Sequence, residues 1–464
     1  MTDRFLSIHG HFYQPPREEP FTGKIPREVG AEPFHDFNEK ITAECYQPNA
    51  AEGNFEHISF NLGPTLAAWM SAHAVDTWQR IVQSDRANVE RFGAGNALAQ
   101  SAHHTILPLA RRRDKIAQVA WGIASFEYRF GRKPEGMWLP EMAVDYETLE
   151  ALAGAGLSYT ILSDEQVQGD TGGRAGPYRV PLSAGRSIAV FVRDRFLSNQ
   201  ISFDMEHLSG PRAWAWQALA PRGPGLTLVA TDGETFGHHH RNGVKFLQDL
   251  VVRDAPSTGL QVTTLARYLA DHPPLVEIEI REMTSWSCEH GVARWVTGCD
   301  CTPGDSRWKG ALRRALDNLS GEMDLVYTTE VGAVSVKPWA LRDAYINVVT
   351  GQMDGLTFLT SQGLSDLPTV DAERILKLLR AEFHRQRMYA SCAVFFGELT
   401  RVEPRYAIAN AARAIQLVKE ATGEDLSHGF RRDLSVASSP RVGVTGADLY
   451  EATLASARAN GLIK

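Results

Sequence analysis

The densest chemistry in this 464-residue chain lies in Thr231-Asp232-Gly233-Glu234-Thr235-Phe236-Gly237-His238-His239-His240. An apolar run, Leu226-Thr227-Leu228-Val229-Ala230, leads into it, and an amphipathic segment over 243–252 follows. The pattern predicts a buried strand, an acid-rich turn and a helix. α/β barrels carry their chemistry at the C-terminal ends of such strands. A plain turn needs a glycine and one capping acid, not two carboxylates and three imidazoles. A second stretch, Pro134-Glu135-Gly136-Met137-Trp138-Leu139-Pro140-Glu141-Met142, also ends a short apolar strand on a carboxylate. Cleaving a glycosidic bond takes two facing carboxyl groups, one acting as nucleophile or base and the other as an acid with a raised pKa. Glu141 and Asp232 are candidates for such a pair. Spacing alone does not assign them, because any barrel has several strand-end acids.

Two further clusters stand out. Phe5–Ile8 reads as the first strand and runs into His9-Gly10-His11-Phe12-Tyr13-Gln14-Pro15. Residues two apart on a strand share a face, so His9 and His11 point the same way. They either line a site, on sugar hydroxyls or on a metal, or are satisfied polar groups at a strand end. Downstream, Trp286-Ser287-Cys288-Glu289-His290-Gly291-Val292-Ala293-Arg294-Trp295 is followed by Cys299 and Cys301. Cys288, His290, Cys299 and Cys301 could be zinc ligands, although the gaps are C-x-H and C-x-C rather than the usual two to four residues. Buried, inert thiols are the alternative. Trp286 and Trp295 could stack on sugar rings, with His290 or Arg294 near a hydroxyl. This segment is expected to fold over the barrel's C-terminal face as a wall of the site; otherwise both indoles are core anchors.

The elements that must position these groups alternate. Strands are expected at 57–62, 136–139, 159–162, 188–192, 226–230 and 261–264, in addition to the first. Helices at 65–70, 114–130, 146–153 and 243–252 intervene. Alternating strands and helices indicate a parallel sheet. Residues 17–56 are polar and aperiodic, which suggests a long functional loop or an insertion. Phe92-Gly93-Ala94-Gly95-Asn96 is a Gly-rich turn without the spacing of a dinucleotide or phosphate loop. Beyond Asp271-His272-Pro273-Pro274 the strand signals fade. Helical spacing then recurs at 307–319, 339–349, 371–389, 407–420 and 447–460. The fold class is thus α/β, an incomplete barrel over 1–274 followed by a mostly helical domain over 275–464 that contributes to the wall of the site.

Composition narrows the function classes. Hydrophobic residues at 43% and charged residues at 22% are globular values. A net charge of −7 argues against a nucleic-acid partner. Five cysteines, an odd number, do not suggest a disulfide framework. Met1-Thr2-Asp3-Arg4-Phe5 lacks the basic and apolar regions of a signal peptide, and no long apolar run predicts a membrane span. A cytoplasmic location is expected.

Taken together, the motifs resemble those of glycoside hydrolase family 57, the α-amylase and 4-α-glucanotransferase group. The matching stretches are His9-Gly10-His11-Phe12-Tyr13-Gln14-Pro15, Ser59-Phe60-Asn61-Leu62-Gly63-Pro64-Thr65-Leu66, Trp138-Leu139-Pro140-Glu141 and Thr231-Asp232-Gly233-Glu234-Thr235-Phe236-Gly237. Ser285-Trp286-Ser287-Cys288 and Tyr389-Ala390-Ser391-Cys392 with Phe395-Phe396 are similar to a branch with a distinctive helical C-terminal region. The resemblance implies a (β/α)7 barrel and a retaining mechanism on α-linked glucan without a metal or other cofactor. It implies an oligo- or polysaccharide substrate, with either water or a second sugar as acceptor. It assigns Glu141 as nucleophile and Asp232 as acid/base. Substrate contacts are expected from His9, His11, Gln14, Trp138, Glu234 and His238, with Glu234 and His238 tuning Asp232. Trp286, His290, Arg294 and Trp295 complete the expected binding set. One departure is visible: Phe12 and Tyr13 stand between His11 and Gln14, where the family motif places glutamine directly after the second histidine.

Two other classes compete. His9, His11, Asp232 and His238–His240 could instead be ligands of a metal-dependent carbohydrate hydrolase, deacetylase-like or α-mannosidase-like. A non-catalytic sugar-binding protein could also keep the barrel, but two strand-end acids argue against it.

Overall fold

The computed structural model describes residues 3–439 and 441–463. Met1 and Thr2 of the amino-terminal stretch lie outside them. The chain divides into two compact units: Met1–Pro16, Arg27–Ala102 and Phe126–Trp286 form the first, and Arg17–Pro26, His103–Ser125 and Ser287–Lys464 the second.

In the first unit the barrel strands are β1 (Arg4–Phe12), β2 (Ser59–Leu62), β3 (Ala97–Gln100), β4 (Met137–Trp138), β5 (Tyr159–Ser163), β6 (Ser187–Arg193) and β7 (Gly225–Asp232). Parallel pairing runs β7–β1–β2–β3–β4 and, separately, β5–β6. A single parallel bridge from Gly136 to Tyr159 joins β4 to β5. One backbone bond, Asp194 N–H to the Leu228 carbonyl at 2.8 Å, joins β6 to β7. Seven parallel strands therefore follow one another among the described residues, with two weak joins. This is the incomplete (β/α)7 barrel. Every residue of β1 from Leu6 to Phe12 is buried, as expected of a parallel strand covered on both faces. Ile8, Phe60, Leu98, Met137, Ile161, Val190 and Leu228 fill the core, each contributing about 1.5–3 kcal/mol by burial.

The seven strands are not quite those expected. Gln261–Val262 pairs only with Phe5 and Leu6 of β1, and β3 takes its place in the count. Ala97-Leu98-Ala99-Gln100 has no β-branched or aromatic residue, so its strand signal is weak. Polar contacts fix its start instead. Asp85 accepts from the Asn96 and Ala97 N–H groups at 2.9 Å each, and Arg132 donates to Asp85 at 2.7 Å and to the Ala97 carbonyl at 3.0 Å.

The polar stretch expected to be a loop is helical from Phe37 to Ala51. Asp36 caps its first turn by accepting from Asn38 and Glu39 N–H at 2.8 and 3.1 Å. Its middle, Thr42–Tyr46, is a π-turn, a form concentrated at functional sites. The strand signals also persist beyond 274. Val276–Glu277 pairs with Tyr178–Arg179, Glu279–Ile280 pairs with Val167–Gln168, and Thr284 bridges to Val144. Residues 275–286 thus stay with the barrel unit.

The second unit is mostly helical, with Trp308–Gly332, Pro338–Ala344, Thr369–Arg387, Val402–Thr422 and Gly446–Ala459 as its main helices. Its interior holds an ionic cluster. The fully buried Arg342 and Arg385 both donate to Asp114, at 2.6 and 2.7 Å, and Arg385 also donates to buried Glu382 at 2.9 Å.

Candidate active site

The site grows from the C-terminal ends of β1, β2, β4 and β7. In register, His11 of β1 stands opposite Asn61 on β2 and Asp232 on β7. His9 and His11 do share a face, and both stack on Trp138 at the end of β4, at 4.9 and 4.7 Å with interplanar angles of 5° and 14°. Asn61 Oδ1 lies 3.1 Å from His9 Nε2 and 3.2 Å from His11 Nδ1, and Asn61 Nδ2 donates to Gln100 Oε1 at 2.8 Å. Burial, opposed by the Asn61 hydrogen bond, takes both imidazoles down to about 3. They are therefore neutral hydrogen-bonding groups at any ordinary pH. Trp138 is fully buried, and among the described residues its Nε1 finds no acceptor.

Glu141 follows directly on a strained turn. It and Met142 both have left-handed backbones, with φ of 57° and 48°. Non-glycine residues hold that conformation at a cost of about 1–3 kcal/mol, characteristically at active sites. Trp286 straddles the turn. Its backbone N–H donates to the Glu141 carbonyl at 3.0 Å and its Nε1–H to Glu141 Oε2 at 3.3 Å. The half-buried indole meets Trp138 edge-on at 5.1 Å, and the Arg193 guanidinium sits 4.7 Å from its centroid. Arg193, at the end of β6, is buried and tied to Ser163 Oγ at 3.0 Å and the Ala230 carbonyl at 3.2 Å. Burial lowers it to about 10, which leaves it cationic at neutral pH.

Asp232 ends β7. Its side chain keeps solvent-accessible surface although protein surrounds the carboxyl closely, as at the floor of a cleft. Its pKa is pushed up to about 7, first by burial and then by the charge of Glu141, with Arg193 opposing. The next acid, Glu234, is buried and accepts from Tyr46 Oη at 2.5 Å, Tyr13 N–H at 3.2 Å and Gln14 Nε2 at 3.4 Å. Burial raises it to about 8 against the Tyr46 hydrogen bond, with the charge of Asp232 adding to the rise. The π-turn delivers Tyr46 to this spot, and it seats Cys45 Sγ on the Gly233 and Phe236 carbonyls at 3.5 and 3.4 Å. Gly237, at φ 140°, lies so close to this turn that a Cβ there would run into the Glu44 carbonyl.

The departure in the first motif now has a physical account. Phe12 is core, packed where a Cβ at Gly233 would collide with its ring. Tyr13 turns its backbone N–H to Glu234. Gln14 still reaches Glu234, two positions later than in the family pattern.

The structure thus brings together His9, His11, Gln14, Trp138, Glu141, Asp232, Glu234 and Trp286. His238 turns away to Glu44 Oε2, at 2.5 Å, and His240 Nε2 lies 2.9 Å from the Ser202 carbonyl. The groups acting on Asp232 are Glu141 and Arg193 rather than His238. The remaining expected residues belong to the second unit. Trp295 is buried and donates to the Ser391 carbonyl at 3.2 Å, Arg294 lies 4.3 Å over Phe395, and His290 Nδ1 is 3.2 Å from Cys301 Sγ. Asn61, Tyr46 and Arg193 were not singled out from the sequence as site residues. The available signal was a polar side chain set in an apolar strand, as in Phe60-Asn61-Leu62 and Val192-Arg193.

Comparisons with known proteins bear on the family and the fold. The family model described as glycosyl hydrolase family 57 matches residues 40–281, and one described as a domain of unknown function (DUF3536) matches 305–461. A 1,4-alpha-glucan branching enzyme of Thermococcus kodakarensis is 46% identical over 52 residues, which is 11% of this chain and 8% of the relative. Alpha-amylase 1 of Dictyoglomus thermophilum is 23% identical over 108 residues, 23% of this chain and 15% of the relative. The matched stretches are thus a small part of either curated relative. An exo-type maltose-forming amylase from Pyrococcus sp. ST04 is similar in structure, with a TM-score of 0.75 at 15% identity over 93% of this chain and 83% of the other. The branching enzyme of T. kodakaraensis aligns with a TM-score of 0.55 at 18% identity, over 97% and 96% of the two chains.

Proposed function

Because the chain belongs to glycosyl hydrolase family 57, we propose that it is a retaining enzyme on α-linked glucan, with Glu141 as nucleophile and Asp232 as acid/base. One observation carries the reading. Asp232 is raised to about 7 beside a second carboxylate, Glu141, that receives an indole N–H. A retaining glycosidase divides its two acids in this way. Protonated Asp232 donates to the glycosidic oxygen as the C–O bond breaks. The Glu141 carboxylate forms a bond to the anomeric carbon, giving a glycosyl ester. Asp232, now ionised, takes a proton from water or from a sugar hydroxyl, and that oxygen displaces Glu141. Hydrolysis and transfer share every step but the last acceptor. Neutral His9 and His11 suit hydrogen bonds to uncharged hydroxyls. Arg193 limits how far the Asp232 pKa can climb, which keeps the group able to both give and take a proton near neutrality.

The α-glucan assignment is supported by the activities of the similar proteins, a branching enzyme and two amylases. The metal-dependent alternative finds less support. His238 and His240 turn away to Glu44 and Ser202, and among the described residues no three of the candidate ligands come close enough together to share an ion. No helix among the described residues is long and apolar enough to cross a membrane. The decisive test is chemical rescue. Glu141→Gln should abolish turnover of maltooligosaccharides while leaving the melting temperature near that of the parent. Glu141→Gly with azide should yield a glycosyl azide of inverted anomeric configuration. Full activity in the glutamine variant would refute the assignment.

A further inference from the structure

Outside the barrel site, one cluster in the second unit has no part in the chemistry above. Cys288, His290, Cys299 and Cys301 converge so that one ligand atom from each lies within 4.8 Å of all the others. Cys288 Sγ is 3.4 Å from Cys299 Sγ and 3.8 Å from Cys301 Sγ, and His290 Nδ1 is 3.2 Å from Cys301 Sγ. In a tetrahedral zinc site, Zn–S bonds of about 2.3 Å and a Zn–N bond of about 2.0 Å put neighbouring ligand atoms roughly 3.5–3.8 Å apart. The thiols are too far apart for an S–S bond, which spans about 2.05 Å, and any such pair would leave a third thiol and the imidazole over.

The surroundings carry a second, independent signal. Arg294 and Lys309 are both buried beside the cluster, and among the described residues neither has a carboxylate partner. Among the described residues Lys309 Nζ has one long bond, of 3.4 Å, to the Phe395 carbonyl, and Arg294 Nε has no acceptor. Two buried cations without counter-charge are costly. The titratable groups facing Lys309, apart from Arg294, are the thiols of Cys299 and Cys288. Neutral thiols would give these cations nothing. Three thiolates and an imidazole around a divalent ion leave one net negative charge at the same place. Left-handed Gly291 and Gly298, with φ of 69° and 85°, make the two reversals that return Cys299 and Cys301 to Cys288. A Cβ at Gly298 would lie 2.5 Å from Ser306 Oγ, a clash.

We propose that Cys288, His290, Cys299 and Cys301 form a closed, structural zinc site in the second unit, distinct from the glycosidic chemistry. Binding deprotonates the thiols, so that Zn²⁺ and three thiols give a tris-thiolate imidazole complex and three released protons. With all four positions filled by protein, the metal has no open position for substrate, and its role is to hold the 288–301 loop.

Metal analysis of the full-length chain tests this without reference to activity. After exhaustive dialysis in the presence of a reductant, plasma mass spectrometry should find about one zinc per chain. Cobalt(II) exchanged into the protein should show sulfur-to-cobalt charge transfer and the intense d–d bands of a tetrahedral ion. Cys299→Ser and Cys301→Ser should each lose most of the bound zinc. His290→Ala alters an exposed side chain and should lower metal retention against a chelator while the protein still folds. A wild-type chain that holds no stoichiometric zinc and takes up no cobalt overturns the proposal. So does a non-reducing peptide map of freshly purified protein that finds a Cys288–Cys299 disulfide.

Discussion

Replacing Trp286 by phenylalanine isolates a single interaction of the proposed nucleophile. A phenyl ring retains an aromatic edge toward Trp138, 5.1 Å away in the parent, and a face beneath Arg193, at 4.7 Å, but it has no N–H for Glu141 Oε2 at 3.3 Å. A hydrogen bond to a charged group is worth about 1.5–3 kcal/mol. The separation is at the long end for N–H···O, which favours the lower figure. About 1.5 kcal/mol is roughly a tenfold loss of kcat/KM. Trp286→Ala also removes the ring contacts, at about 0.5–1.5 kcal/mol for the aromatic pair and about 0.5–2 kcal/mol for the guanidinium. Its loss should therefore reach roughly 10²- to 10³-fold. The assay is initial-rate kinetics on a maltooligosaccharide series, with melting temperature measured in parallel. The ordering parent, phenylalanine, alanine in kcat/KM is the expected result. Wild-type kinetics in Trp286→Phe would refute the hydrogen bond's role. A drop in melting temperature with unchanged kinetics in both variants would make the indole a packing element only.

Asp232 must be protonated to act and is raised to about 7, so kcat/KM should fall as pH rises through about 7; an alkaline limb that persists unchanged in Asp232→Asn would belong to another group. The folded state holds that proton more tightly than the unfolded chain, so Asp232 removes stability as pH climbs from about 4 to about 7. Asp232→Asn should therefore flatten the melting-temperature profile over that window. Asp114 is different: burial raises its pKa, but Arg385 and Arg342 outweigh burial and hold it well below the usual carboxylate range. Its stabilising contribution is present above about pH 4 and is lost as pH falls. Asp114→Asn should cost about 3–5 kcal/mol by leaving buried guanidinium groups under-compensated, and unchanged chemical denaturation would count against the cluster. Asn61→Ala leaves His9, His11 and Gln100 without their shared partner, at about 1–3 kcal/mol for each buried group left unsatisfied; a variant as stable and as active as the parent would show that this network positions nothing.

Much of the barrel was legible because its signals are local. Leu226–Ala230, Tyr159–Leu162 and Ile188–Val192 are apolar runs of strand length, and strand ends in such folds are where acids gather, so Glu141 and Asp232 could be picked out together. His9 and His11 were legible for the same reason, since a period of two puts them on one face whatever lies opposite. Apolar residues at helical spacing from 307 onward, with strand signals fading, were enough for the helical second half.

Tertiary structure decided what depends on partners distant in sequence. Ala97–Gln100 has little strand propensity and is a strand because Asp85 and Arg132 hold its first residues in register beside β2. Thr42–Tyr46 shows no periodicity because a π-turn obeys none, yet it is what brings Tyr46 to Glu234. No local pattern tells a buried tryptophan from an exposed one. Trp138 and Trp295 are enclosed, whereas Trp286 remains half open with its N–H on Glu141, and the difference lies in which chains pack over each ring. The raised pKa of Asp232 is likewise a property of its surroundings, produced by burial and by a carboxylate some ninety positions away. At Cys288, His290, Cys299 and Cys301 the ligand types were visible but their spacing was unorthodox. Only the two glycine reversals that close the loop bring four donors to one point, because convergence depends on backbone geometry and not on the count of intervening residues.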